Sequence, residues 1–262
     1  MGANATEIMT ARLFFNAAFP TMQVLLDDVP SLHESFKDFK GRIQFGARND
    51  GEVMACVFDF DNGRLSVAEG TDPNADLTMT FGSVEKMNAL LKGGLAVPGL
   101  KGKLGLLGKF LPLLLGLKVM SKPNSALKDD AERELKVKCS LYMVTRALSK
   151  MNKMGDPEMV EFCLRQPERI YQFAVDKGEE KNHIACYFRV DQGKSKSGHG
   201  IYELKSPFVL FHFFSIEGAL AVLGGEVEFV EGVEKGFVET VGSPEYACKL
   251  NDAMAVIQGM MM

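Results

Sequence analysis

At 262 residues the chain has room for one large domain or two of ordinary size, and 46% hydrophobic with 24% charged residues is globular material with enough apolar mass for one or two cores. A formal net charge of −4 argues against nucleic acid as the main partner, because a phosphate backbone calls for a broad basic surface. Cys56, Cys139, Cys163, Cys186 and Cys248 are odd in number, scattered and free of any CxxC pair, which argues against a disulfide framework or zinc site and for reduced thiols in the cytoplasm.

The opening MGANAT fits M-G-x-x-x-[ST], the pattern for myristoylation at Gly2, and equally fits an ordinary N-terminal tail. No basic-then-apolar secretory pattern follows it. RLFFNAAFPTMQVLL (Arg12 to Leu26) reads as an amphipathic helix, and its uncharged run from Leu13 to Leu26 is 14 residues, short of the ~20 that span a bilayer. GRIQFGA, EVMACVFDF, RLSVAEG and ADLTMTF then read as successive strands, punctuated by Asn49-Asp50-Gly51, Asp61-Asn62-Gly63 and Thr71-Asp72-Pro73-Asn74. GSVEKMNALLKGG reads as a helix capped by Ser83 and stopped at Gly93.

The next segment is unusual. Leu100 to Leu117 holds nine leucines and four glycines in eighteen residues, and its only charges are lysines. Between Glu85 and Asp129 there is no acidic residue, while eight lysines fall there, so this segment is +8 and the rest of the chain −12. Leu104, Leu107, Leu111, Leu114 and Leu115 lie at helical spacing, and Pro112 is expected to bend or split that helix. LKVM (Leu117 to Met120) reads as a short strand, and a long helix follows over Asn124 to Lys150.

The same order then recurs. MACVFDFDNG (Met54 to Gly63) faces IACYFRVDQG (Ile184 to Gly193) at an offset of 130, GRIQF faces ERIYQF, and TFGSVEKMNALLKGG faces HFFSIEGALAVLGGE at an offset of 132. SKPNSALK faces GSPEYACK at 121. The drift makes the first copy 11 residues longer between Ser83 and Pro123 than the second between Ser215 and Pro244, which marks the Leu/Gly/Lys stretch as an insert. In the second copy IYQFAV, HIACYFRV, GHGIYEL, FVLFHFF and GFVETV read as strands, IEGALAVLGG and PEYACKLNDAMAVIQG as helices, and Glu226, Glu228, Glu231 and Glu234 as the wet side of an edge segment. The reading is a tandem duplication with domains at 1–133 and 134–262, each an α+β unit whose antiparallel meander carries helices on one face.

ADLTMTFGSVEKMNALLKGG (Ala75 to Gly94) and FVETVGSPEYACKLNDAMAVI (Phe237 to Ile257) carry a resemblance to the sterol carrier protein type 2 family, covering nearly the whole chain as two such domains. The second copy departs in having SPFVLFHFF where ADLT would stand, and the first in having Ser121-Lys122 where Gly242-Ser243 stand. The resemblance implies about five strands per sheet, an apolar tunnel enclosed by helices, and lipids such as fatty acids, acyl-CoA thioesters or sterols as ligands. The implied cavity is chiefly that of domain 1, lined by Leu77, Met79, Phe81, Met87, Leu90, Leu91, Leu104, Leu107, Phe110, Leu111, Leu114 and Leu115, with Lys101, Lys103 and Lys109 at a head-group rim facing an anionic lipid head or an anionic membrane. The same leucines equally suit an ordinary core.

No catalytic constellation is found. The glycines of GKLGLLG do not form G-x-G-x-x-G, there is no P-loop or G-x-S-x-G elbow, and His33, His183, His199 and His212 are isolated. The expectation is a non-enzymatic lipid-binding or carrier protein without metal or cofactor. The alternative is a structural module whose apolar face binds a partner chain or forms a homodimer.

Overall fold

The structure is a computed structural model that describes residues 2–261; Met1 of the myristoylation pattern and Met262 lie outside the described residues. The chain forms two compact units, one of residues 2–118 with 260–261, the other Val119–Gly259. The sequence boundary at 133/134 falls inside one helix, Asp130–Met154.

In the first unit, Asn4 caps α1 (Ala5–Leu13), its side chain accepting the Glu7 N–H at 2.9 Å. The helical path runs on through a π-turn (Phe14–Ala18) and a 3₁₀ turn (Phe19–Thr21) into α2 (Met22–Asp28). The expected helix is therefore present but irregular in its middle, widened over Phe14–Ala18 and tightened over Phe19–Thr21, where Pro20 offers no N–H to an i→i−4 bond. After α3 (Pro30–Phe36) come β1 (Lys40–Asn49), β2 (Glu52–Asp61) and β3 (Arg64–Glu69). Asp50-Gly51 and Asn62-Gly63, all at positive φ, make the two hairpin turns. Then follow β4 (Leu77–Phe81), α4 (Val84–Leu91) capped by Ser83, β5 (Gly99–Gly102), a 3₁₀ turn at Leu104–Leu106 and α5 (Leu107–Gly116).

In the second unit, α6 (Asp130–Met154) is capped by Asp129 and ends on Gly155 at φ +85°. It is followed by α7 (Pro157–Leu164), β6 (Arg169–Lys177), β7 (Glu180–Asp191), β8 (Lys194–His199) and β9 (Val209–Phe213). The closing elements are α8 (Ile216–Leu223), α9 (Phe229–Glu234), β10 (Val238–Gly242) and α10 (Pro244–Met261).

Each unit holds one five-stranded sheet, ordered β3-β2-β1-β4-β5 in the first and β8-β7-β6-β9-β10 in the second. The sheets are mixed, which corrects the antiparallel expectation: β1·β4 and β6·β9 are parallel, the other pairs antiparallel. The meander stops after two hairpins. Residues 70–76, and 200–208 in the second unit, carry the chain back across the sheet so that the fourth strand starts beside the first and runs with it.

A buried glutamine on each central strand fixes that return. Gln44 Oε1 accepts the Asp72 N–H at 2.7 Å, and Gln172 Oε1 accepts the Tyr202 N–H at 3.0 Å. Gln172 is 2% exposed, and its Nε2 donates to the carbonyls of Cys186 (2.8 Å) and Gly200 (3.2 Å). Gly102 and Gly242 hold the fifth strands close: they pair with Leu77 and Val209 at φ +103° and +114°, where a Cβ would strike the Asp76 and Phe208 carbonyls.

Four other sequence expectations change. LKVM is not a strand; Leu117–Val119 is a 3₁₀ turn, and the first unit's fifth strand is Gly99–Gly102. The Leu-rich stretch is accordingly no insert but a strand and the helix after it, as β10 precedes α10. From the capping serine to the fifth-strand glycine is 19 residues in the first unit and 27 in the second, so the extra length lies in the second, where α9 occupies it. The Pro123/Pro244 match had tied a 3₁₀ turn to the start of a helix. Phe229–Glu234 is the helix α9 rather than an edge segment, with Glu228 at its N-cap, and α5 runs unbroken through Pro112.

An ionic cluster ties α6 to β7. His183 lies 2.6 Å from Glu134 and 2.8 Å from Glu180, and Lys177 lies 2.6 Å from Glu134. Hydrogen bonding to Glu180, then Glu134, raises the His183 pKa. Burial pushes the Glu134 carboxyl up, but the bonds from Lys177 and His183 outweigh it and lower it. A raised histidine contributes stability that is full below its unfolded pKa of about 6.5 and is lost as pH rises through the folded value.

Two measurements check these points. Gln172→Met leaves buried backbone groups unpaired and should lower unfolding stability by about 1–3 kcal/mol in a denaturant titration. His183→Gln should depress Tm most near pH 6 and progressively less toward pH 8.5; a Tm difference that grows with pH would contradict the assigned cluster.

Candidate functional site

Leu77, Met79 and Phe81 alternate along β4 and are all buried on one face of the first sheet, and Met87 of α4 is buried with them. Leu90 and Leu91 are half-buried. The Leu-rich helix turns the other way from its expected stripe. Phe110 and Leu113 are fully buried, whereas Leu104, Leu111 and Leu115 are 54%, 41% and 56% exposed, and Leu107 and Leu114 are half-buried. A helix apolar all round has no periodicity to choose its inward face, and burying the Phe110 ring removes the largest apolar area from water.

That ring helps fill the first unit. Phe110 packs 4.9 Å from Phe58 and 6.4 Å from Phe45, Phe19 packs 5.0 Å from Phe58, and Phe45 packs 5.2 Å from Phe81. These rings pack against one another inside the first unit. The three rim lysines also part company. Lys101 is exposed, Lys103 pairs with the Asp76 carboxylate at 2.8 Å, and Lys109 folds back on α3, donating to the Ser35 carbonyl at 2.5 Å over the Phe36 and Phe39 rings.

An apolar cavity of about 190 Å³ lies in the second unit. Its floor is Phe173 of β6 with Phe211 and Phe213 of β9, and Val144 of α6 forms one side. Phe173 and Phe211 stack at 4.8 Å, and Phe229 meets Phe211 edge-on at 5.7 Å. Asn251, Met254, Ala255 and Gln258 of α10 close the roof, where α5 offers Phe110 and leucines. Gly225, Val227 and Glu228, between α8 and α9, complete the lining, and its exposed members Gly225, Glu228 and Ala255 mark where the cavity meets solvent. The sequence reading missed this site. The signal available was the run of small residues in PEYACKLNDAMAVIQG and the glycine pair after α8, which leave room that leucine and phenylalanine would fill.

The polar chemistry is sparse. Burial pushes the Cys163 and Cys186 thiols up to about 12, which keeps them protonated and un-nucleophilic at neutral pH. His212 alternates with Phe211 and Phe213 on β9 and so faces away from the cavity, where its Nε2 lies 3.0 Å from the Asp176 carboxylate, itself held by Lys181 at 2.8 Å. Burial acts to raise the Asp176 pKa, but those bonds and the Asn182 N–H hold it at about 2, the mark of a structural ion cluster. Among the described residues no group of three or more His, Cys, Asp or Glu side chains is placed to hold a metal, and no helix is long and apolar enough to cross a membrane.

No family model matches the chain, and no curated protein matches it. Among solved structures it is similar to a palmitated sterol carrier protein 2-like 2 from Aedes aegypti (19% identity over 44% of this chain and 90% of that one, TM-score 0.30). It is also similar to sterol carrier protein domain 2 of Helicoverpa armigera (21% identity, 45% and 94%, TM-score 0.30). A third similarity is to part of a sec-alkylsulfatase from a Pseudomonas species (11% identity, 58% and 28%, TM-score 0.25). TM-scores this low leave the functional reading to rest on the chain's own residues.

Proposed function

We propose that the protein is a non-enzymatic carrier of a small amphiphile, held with its apolar part in the second unit's cavity. The observation that carries this reading is the cavity itself, walled by aromatic and aliphatic side chains and opening at one polar mouth. Apolar cavities of about 150 Å³ stay dry and take up benzene, so 190 Å³ suits a short alkyl segment. A longer chain needs α8, α9 or α10 to give way. We read the two units as copies of one module, supported by their matching strand orders, pairings, capping serines and fifth-strand glycines. In that reading the first copy has exchanged its cavity for a phenylalanine core.

The first unit keeps a different feature. Leu95, Val97, Leu100, Leu104, Leu111 and Leu115 are 41–99% exposed, within a stretch whose only charges are lysines. Exposed apolar patches of a few hundred Å² mark contact surfaces, and burying ~300 Å² at ~25 cal/mol per Å² is worth several kcal/mol. Exposed leucines beside Lys101, with Lys103 engaged by Asp76 and Lys109 by Ser35, match an anionic bilayer surface, where a carrier would load and unload. A homodimer formed through this face is the competing reading.

Calorimetric titration with 1-octanol tests the first part: saturable binding by the native protein is expected, and loss of it in Ala255→Trp, a substitution at an exposed roof position. Equal binding by the variant would remove the cavity as the site. Cosedimentation tests the second. Vesicles of phosphatidylcholine with phosphatidylserine should bring the protein down, neutral vesicles should not, and Leu104→Ser/Leu111→Ser/Leu115→Ser should abolish the effect. A dimer abolished by the same substitutions, with no vesicle binding, would assign the face to a second copy.

A further inference from the structure

The chemistry at the cavity mouth restricts what head group can sit there, an argument that rests on the cavity being the binding site. None of the lining residues is Lys, Arg or His; the polar ones are Glu228, Asn251 and Gln258. Gln258 Nε2 already donates to the Leu223 carbonyl at 3.1 Å, which leaves its Oε1 as an acceptor. Glu228 is exposed at the mouth and has no ion-pair partner among the described residues. Three more carboxylates lie close along the chain: Glu226 two residues before it, and Glu231 and Glu234 at roughly 5 and 9 Å along a helical rise of ~1.5 Å per residue. Lys235 engages Glu231 at 2.7 Å. Lys136, which senses Glu226, is 6% exposed and donates to the Lys122 carbonyl (2.6 Å) and Asn124 Oδ1 (2.7 Å). The lining is therefore negative in sign, with Glu228 and the Asn251 and Gln258 amide oxygens as acceptors and, among the described residues, the Asn251 amide N–H as its free side-chain donor.

A carboxylate or phosphate head there would meet like charge without a cation to pair with, and an unpaired charge at an apolar opening is strongly disfavoured. A hydroxyl removes the like-charge contact and a primary ammonium reverses it, and each donates to Glu228 and the amide oxygens. We propose that the cavity takes an amphiphile whose head donates hydrogen bonds, an alcohol or a primary amine, and rejects carboxylate- and phosphate-headed lipids. This selects against the fatty acids and acyl-CoA thioesters that the sequence resemblance implies.

Three eight-carbon probes separate the terms: 1-octanol, octylamine and octanoate, titrated into the full chain by calorimetry at pH 7 and low salt. Octanol and octylamine should bind, and octanoate should bind at least ~10-fold more weakly, the scale of one unfavourable charge contact. Glu226→Gln/Glu228→Gln, both at exposed positions, should bring octanoate to within about threefold of octanol and weaken octylamine. Octanoate binding as tightly as octanol, in a way lost in Ala255→Trp, would overturn the head-group assignment while leaving the cavity in place. An unchanged ranking in the double glutamine variant would also overturn it. No binding of any probe would overturn the cavity reading and this inference together.

Discussion

The architecture of each unit turns on a buried carboxamide. A glutamine inside a central strand must have its hydrogen bonds satisfied within the protein, and Gln44 and Gln172 find them in the loop that returns across the sheet. Holding that loop down places the fourth strand parallel to the first and leaves the fifth to pair outside it. The helix that follows the fifth strand is then delivered back over the sheet's inner face. That helix carries Phe110 inward in the first unit, and in the second it brings Met254 and Ala255 to the lining of the cavity.

Both outcomes obey the same packing rule. Interiors are close-packed, and a void costs the contacts its lining atoms would have made. The first unit avoids that cost with rings from two helical segments, two central strands and α5 meeting at 5–6 Å. The second retains a cavity floored by stacked rings and roofed by Met254 and Ala255. A preserved void with an open mouth is a feature that stability alone would remove, which gives it weight as a functional one.

Charge divides along the same line. The acid-free stretch with eight lysines lies in the first unit and the start of the second, beside exposed leucines, while Glu228 lines the cavity with Glu226, Glu231 and Glu234 close to it along the chain. A basic apolar surface suits an anionic membrane; an acidic mouth suits a head group that donates protons to hydrogen bonds.

Much of the scaffold was legible in the residues. Turn signals at Asp50-Gly51 and Asn62-Gly63, the caps Ser83 and Ser215, and the alternation of β4 and β9 are local rules of backbone and pleat, and the structure follows them. The Leu-rich stretch was recognised as unusual but placed the wrong way round, because a helix apolar on every side has no period by which to choose its buried face. Parallel pairing was missed because it depends on a side-chain bond from Gln44 or Gln172 to a loop 28 or 30 residues away. The cavity was missed for a related reason: a void is a property of volumes summed over strands, helices and loops distant in sequence. The sequence by itself determined most of the elements, the hairpin turns and the sign of each charged stretch. Only the tertiary structure decided which face of α5 is wet and where the second unit's cavity lies, since both are settled by what packs against what.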